Sequence, residues 1–579
     1  MASALPRLPV FEAISRHDPN SIAVIHSNSG RQFRYGELLG DVCKVRNRLY
    51  ETAGRDDLDG ERIAFLVENS YDYVVTFLAI LAAKSIAVPL SPAFPAPEVQ
   101  YILNHSEAIV LLSSAKFASK AEEVLRTELD VQPAYLRMNK FEGQGAHEKV
   151  TLDKSDPGAA GMMLYTSGTT NRPKGVLLPQ SVMTAQAKSL LQAWEYSPSD
   201  HLLHVLPLHH IHGTINAIFT PLFSGSTIEF LFPFNADAVW RRLAAPFLTP
   251  DQTPNADLTQ HQHRKITFLT AVPTIYARLL TTHKALPPDM QSATRTAISP
   301  ANLRLAISGS AALPTPIKRA WSELSGGNVL LERFGMTEVG MALSCGLDVV
   351  DRVDGSVGWP LPGVEARLVD VDTHQLIEPG QERDADGRER VGEIQLRGPT
   401  IFTEYWRNPE ATVKEFVESK DGRGQWFKTG DVAVRRAVDG AGRSVLPSQK
   451  DWARGDLYFI LGRRSADIIK SGGEKVSALE VEREMLSLPQ VAEVAVLAVP
   501  SGKWGQKVGA VVILDKERLP DGKWSPLEMR RALKGRLAGY KIPQVLRVVD
   551  HIPRNAMGKI NKKTLVKEIF IDDFSGDEL

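Results

Sequence analysis

Cysteine is nearly absent from this chain of 579 residues: only Cys43 and Cys345 occur, far apart and in no C-x-x-C pattern. That excludes a disulfide framework or a cysteine-built zinc site as the organising feature. An excess of charge of either sign is also missing. Lysine plus arginine number 68 and aspartate plus glutamate 68, so the basic footprint of a nucleic-acid surface is lacking. Long hydrophobic runs are absent as well. The most apolar stretch, Tyr73 to Ala83, stops at Lys84. It falls short of the ~20 apolar residues of a spanning helix and reads as a buried core helix. The opening MASALPRLPVFEAISRH has Arg7 and Arg16 but already an acid at Glu12, and no long apolar core. It is not expected to be a secretory signal, and it matches a mitochondrial presequence poorly. The final GDEL lacks the lysine of a retrieval tag. The expected location is the cytoplasm, with the mitochondrion as the alternative.

What is present points to an enzyme-sized α/β protein. At 43% hydrophobic and 23% charged, the chain can bury several cores, and at a rough ~150 residues per domain it is too long for one simple unit. Short apolar runs such as Ile63 to Val67, Ala108 to Leu112, Ile266 to Val272 and Leu303 to Ser308 alternate with amphipathic stretches. That order predicts layers of α/β structure with largely parallel sheets. After Gly462 the pattern restarts on a smaller scale: Ala478, Val481, Met485 and Leu488 at helical spacing, then Val494, Val496 and Ala498 in strand alternation. The expected division is 1–462 for a large domain and 463–579 for a small α+β domain. Two polar stretches, 248–264 and 438–455, read as surface insertions, being long for loops within a compact domain. No internal repeat is visible.

The most informative string is Tyr165-TSGTTNRPKG-Gly175. Small and hydroxyl residues leave backbone N–H groups free to wrap a phosphate, and Lys174 adds a cation. A Walker loop would need Ser or Thr directly after Gly-Lys, whereas the order here is Lys174-Gly175-Val176. Five further strings follow in order: Ser308-GSAAL-Leu313, Glu332-RFGMTE-Glu338, Lys428-TGD-Asp431, Gly462-RRSADIIKSGGEK-Lys475 and Pro553-RNAMGK-Lys559. Together they resemble, in type and order, the motifs of the adenylate-forming superfamily of acyl-CoA synthetases, luciferases and adenylation domains. The resemblance runs from about residue 10 to 569.

That resemblance implies an ATP-dependent ligase using Mg²⁺ and CoA, and it implies roles. Thr166, Ser167, Gly168, Thr169, Thr170 and Lys174 would grip the β- and γ-phosphates. Gly309, Ser310, Ala311, Glu332, Arg333 and Phe334 would line the adenine pocket. Thr337 would touch the α-phosphate, and Glu338 would help hold Mg²⁺. Asp431, helped by Arg463, would bind the ribose. Lys559 would bridge acyl and α-phosphate oxygens during adenylation. The hinge for a rotation between two half-reactions would fall at Ser465 and Ala466, although the chain carries one residue more there than the common pattern. Gly472 and Gly473 would let the pantetheine arm of CoA approach the backbone.

The acyl pocket carries the substrate question. Leu206-PLHHIHG-Gly213, Ala271-VPTIYARL-Leu279, Leu331-ERFGMTE-Glu338 and Gly398-PTIFTEYW-Trp406 resemble the malonyl-CoA synthetase subgroup, which includes acyl-CoA synthetase family member three. By that likeness Arg278, with Arg333 as a second contributor, would pair with the far carboxylate of malonate, His210 would gate the pocket, and Met336 would line it. A zinc site at His209, His210 and His212 lacks an acidic or cysteine partner nearby. His261 and His263 are expected to be solvated. The alternatives are a ligase for a medium-chain, aromatic or other monocarboxylic acid, a luciferase-like oxygenase, or an adenylating domain that feeds a carrier protein; no carrier attachment motif is visible. Oligomeric state is not legible.

Overall fold

The computed structural model describes residues 4–143, 147–166, 172–248, 263–419, 421–471, 474–501, 505–554 and 560–570. Two large sheets dominate. In the seven-stranded one, Ile86–Pro89, Arg62–Leu66, Val110–Ser114 and Ala134–Met138 run parallel beside Gly161–Thr166; Lys174–Pro179 and Glu404–Tyr405 add antiparallel strands at one edge. The nine-stranded sheet has a parallel centre from Ile22–His26 to Leu331–Met336, capped at both edges by antiparallel strands. The central strands are buried on both faces, which is why they read as apolar runs rather than alternations. The stretch expected as a core helix is one. Tyr71–Ala82 is buried along its whole length, and the Ser70 side chain accepts from Tyr73 N at its start. Both cysteines are free and buried.

A third, antiparallel sheet runs from Glu365–Asp370 to Leu457–Arg463. The five-stranded sheet that follows, Ile468–Ser471 to Val545–Val548, packs Ala478–Leu486, Pro526–Leu533 and Lys562–Ile569 over cores of its own. Between the two sheets lies a turn in which Ala466 N and Asp467 N both donate to Arg463 O. No helix among the described residues is long and apolar enough to cross a membrane.

One expectation is refined here. The stretch 438–455 is exposed or half-buried over most of its length, but its end plugs into the protein. Gln449 is fully buried; its amide donates to Ala193 O at 2.9 Å and its Oε1 accepts from Leu347 N at 3.1 Å. Ala453 packs with Trp359, Val434, Leu457 and Phe459, and the Trp359 indole donates to Gly455 O. Of the other insertion, residues 249–262 lie outside the described residues; His263 is exposed.

Candidate active site

A cavity of about 2430 Å³ opens where the nine-stranded sheet, the edge of the seven-stranded sheet and the small domain's sheet converge. The motifs quoted from the sequence reach it from different elements. Strands Gly161–Thr166 and Lys174–Pro179 pair antiparallel with Thr166 opposite Lys174, so they hold the two ends of the Gly/Ser/Thr loop together. Ser167, Gly168, Thr169 and Thr170 lie outside the described residues, as do Gly472, Gly473 and Lys559. Lys174 Nζ stands 4.6 Å from the ring centroid of Tyr405, and the Tyr405 hydroxyl donates to Glu338 Oε1 at 2.9 Å. Glu338 is buried and lines the cavity with Thr337 and Met336.

Asp431 and Arg463 sit opposite one another on paired strands, with Arg463 Nε 3.1 Å from Asp431 Oδ1. Both line the cavity, as does Ala466 in the turn beyond. Asp467 anchors that turn: its Oδ2 accepts from Arg463 N at 3.0 Å, and its Oδ1 pairs with Lys562 Nζ at 2.6 Å. Lys562 also meets Glu482 at 2.8 Å.

Strand Leu331–Met336 supplies the next group. Glu332 is buried against Lys318 Nζ at 2.7 Å; burial raises its carboxyl, opposed by that cation. Its neighbour Arg333 is 4% exposed, and burial pulls its guanidinium down to about 9, still a cation at neutral pH. Arg333 Nη2 makes one long bond, 3.4 Å, to Ser310 Oγ, and Nε has no hydrogen-bond partner among the described residues. Glycine is needed at 309. A Cβ there would stand 2.3 Å from Arg333 Cζ, so the guanidinium rests directly on the backbone. Ser310 follows at φ 68°, a left-handed conformation rare outside glycine. Its hydroxyl lies 3.3 Å from His212 Nδ1, whose ring continues to Thr270 Oγ1 at 2.5 Å.

His209, His210 and His212 all line the cavity. Burial, with His210 beside it, lowers His209 to about 3, and burial with Arg333 nearby holds His212 well below its ordinary value. These two rings are therefore neutral at physiological pH. No group of three or more His, Cys, Asp or Glu among the described residues is placed to hold a metal. A divalent cation held at Glu338 would draw its remaining ligands from phosphates and water. That donor set suits Mg²⁺.

Arg278 lies on helix Pro273–His283, whose Ile275 reaches the cavity, but the structure places Arg278 itself on the exposed face and outside the lining. One turn of helix is 3.6 residues, and Ile275, Tyr276 and Leu279 take the inward stripe. Sequence reasoning also missed Tyr405 and Lys318. Each is an ordinary residue by type, and only the packing of elements distant in sequence gives it a partner: helix Thr315–Leu324 brings Lys318 to Glu332, and strand Glu404–Tyr405 brings Tyr405 to Glu338.

The AMP-binding enzyme family matches residues 11–406, and the AMP-binding enzyme C-terminal domain matches residues 480–559. The chain belongs to the AMP-binding enzymes. Among similar members is a CoA ligase of Gibberella moniliformis, 58% identical over 585 aligned residues, covering 98% of this chain and 96% of that protein. The human malonate–CoA ligase ACSF3, mitochondrial, is 38% identical over 92% of this chain and 88% of its own length. The crystal structure of ATP-bound MatB from Rhodopseudomonas palustris superposes with a TM-score of 0.77 at 29% identity, covering 98% of this chain and 99% of that one. Family membership accounts for the order of the motifs. It leaves the acid to be argued from the pocket.

Proposed function

We propose that this chain is an ATP-dependent, AMP-forming acid–CoA ligase whose acid is malonate. Its reaction joins two steps. A carboxylate oxygen attacks the α-phosphorus of ATP and pyrophosphate leaves; the CoA sulfur then attacks the acyl carbon and AMP leaves. Two anions meet in the first step, so cations and oriented donors must offset the charge that builds there. In this reading Thr166 and Lys174 serve the phosphates, Asp431 the ribose and Lys559 the reacting oxygens. Mg²⁺, held by Glu338 and phosphate oxygens, supplies charge neutralisation. The small domain 463–579 turns about Ser465 and Ala466 between the steps, and Gly472 and Gly473 take the role of admitting the CoA arm. The relatives named malonate–CoA ligase support the acid.

One observation within this chain carries the choice of a diacid. Among the described residues five arginines are less than a tenth exposed. Arg242, Arg397 and Arg435 meet carboxylates, and Arg352 donates to two carbonyls. Arg333 has neither, and it borders the cavity. A buried guanidinium without an anion is costly, and a second carboxylate on the substrate supplies a planar bidentate match. Arg278 is not needed for this role.

The test is CoA-dependent AMP release across a panel of mono- and dicarboxylic acids. Malonate should give the highest kcat/KM. A monocarboxylate preferred over every diacid would leave a generic acid–CoA ligase. Compartment is settled by imaging the tagged chain, with the cytoplasm expected and the mitochondrion, printed in the names of vertebrate relatives, as the alternative outcome.

A further inference from the structure

We infer that Tyr405 is a positioning residue that couples the phosphate-loop lysine to the metal-binding carboxylate. The inference rests on the ATP and Mg²⁺ roles of Lys174 and Glu338 just proposed. Tyr405 is 5% exposed and absent from the cavity lining, so it acts through its neighbours. Its two ends do different work. The ring face receives the Lys174 ammonium at 4.6 Å, a cation–π contact that strengthens when desolvated. The hydroxyl donates to Glu338 Oε1 at 2.9 Å.

The surrounding backbone makes this placement stiff. Tyr405 pairs with Val176 two positions after Lys174, and Trp406 N donates to Gly175 O at 2.8 Å. On the other side Phe402 N donates to Glu338 O at 2.8 Å. The segment Phe402 to Trp406 therefore ties the strand leaving the phosphate loop to the turn carrying Glu338. With one carboxylate oxygen engaged by the phenol, Glu338 is held in a single orientation, and only its remaining lone pairs are left for a cation. A monodentate, fixed carboxylate is what Mg²⁺ with phosphate and water ligands requires.

Because the two contacts sit on different parts of one side chain, two substitutions separate them. Tyr405→Phe keeps the ring and removes the hydroxyl; Tyr405→Leu removes both. Calorimetric titration of the full-length enzyme with ATP, with and without Mg²⁺, reads the result apart from turnover. Tyr405→Phe should weaken ATP binding in Mg²⁺ roughly tenfold, the usual size of a lost bond to a charged group, and leave metal-free ATP binding unchanged. Tyr405→Leu should weaken both. In a Glu338→Gln background the Phe change should add nothing to the Mg²⁺ response. A thermal midpoint for each variant identifies misfolding, and the Phe variant should keep that of the parent. Equal loss with and without Mg²⁺ in Tyr405→Phe would overturn the coupling. So would a wild-type Mg²⁺ response in that variant while Glu338→Gln abolishes it. If Glu338→Gln and Lys174→Ala both leave ATP binding intact, the nucleotide reading of those residues fails instead.

Discussion

Replacing Arg333 by methionine should raise the stability of the ligand-free protein and destroy its use of malonate. Lowering the guanidinium from 12.5 to about 9 corresponds to roughly 5 kcal/mol at ~1.4 kcal/mol per tenfold in the proton equilibrium. That is the upper scale of what burial costs this cation when no anion faces it. Methionine is unbranched, fills irregular apolar space and carries no charge, so the thermal midpoint of the variant should equal or exceed the parent's. With malonate bound the sign reverses. Its far carboxylate would face an apolar side chain, and removing one partner of a buried pair costs about 3–5 kcal/mol. At ~1.4 kcal/mol per tenfold, kcat/KM for malonate should fall by two to three or more decades. A monocarboxylate of similar size should be used as well as before, or better.

Gly309→Ala provides a second perturbation of the same contact without touching the charge. The added methyl would meet Arg333 Cζ at 2.3 Å, so the guanidinium must leave its seat. Malonate kcat/KM should drop, by less than in Arg333→Met. The assay is AMP release over the acid panel together with a melting scan of each variant. A destabilised enzyme would lose mono- and dicarboxylates together and melt lower. If Arg333→Met shows that pattern, or if selectivity is unchanged, the pairing is wrong and the diacid reading falls with it.

Trimming 438–455 to a short turn should lower the thermal midpoint by several degrees, because it strands the buried Ala193 C=O and Leu347 N–H, each worth about 1–3 kcal/mol when unmade, and uncovers Trp359. A midpoint equal to the parent's would restore the surface-loop expectation. Acid should unfold the protein early. Burial lowers His26 to about 3, His204 to about 4 and His209 to about 3 from 6.5, so below pH 6.5 the unfolded chain takes up protons the folded one refuses. Stability is full above that pH and falls toward pH 4 by up to roughly 4 kcal/mol per pH unit; melting curves across pH 4 to 7 would show it, and a flat profile would count against neutral buried rings. Lys559→Ala should abolish acyl-adenylate formation yet spare thioester formation from supplied acyl-adenylate, and equal loss of both half-reactions would contradict its role.

The sequence and the structure agree where chemistry and local pattern coincide. Apolar runs such as Ile63 to Val67 are strands within parallel sheets because only strands buried on both faces need so little polarity. The two ends of the string TSGTTNRPKG lie on paired antiparallel strands, with Thr166 opposite Lys174, as a short connection between neighbouring strands requires. Asp431 and Arg463 are brought together by register, 32 positions apart in sequence yet opposite in the ladder. Arg278 stands outside the cavity lining for a reason equally physical. Helical phase decides which residue of VPTIYARL faces the cavity, and a motif match carries no phase. The plug at Gln449 was illegible since a polar, proline-containing segment is equally suited to solvent and to a set of buried backbone partners. Tyr405 gave no signal because its importance lies in two contacts, with Lys174 and Glu338, from elements far away in sequence.

Strand periodicity also explains how glutamate and arginine can be adjacent in the ERFGMTE string without cancelling each other. Successive side chains on a strand point to opposite faces. Glu332 turns toward helix Thr315–Leu324, where Lys318 takes its carboxylate at 2.7 Å and also donates to Val353 O. Arg333 turns toward Gly309 and Ser310. Had Lys318 been apolar, Glu332 would be a buried anion within one residue of a buried cation, and distortion of the strand to pair them would cost less than leaving both unmet. By satisfying the acid on one face, Lys318 leaves the base on the other with only the long Ser310 contact among the described residues. Neutral His212, a donor or acceptor through Ser310 but no competing ion, leaves that charge uncompensated. The cation is thus kept for an anion that arrives from outside.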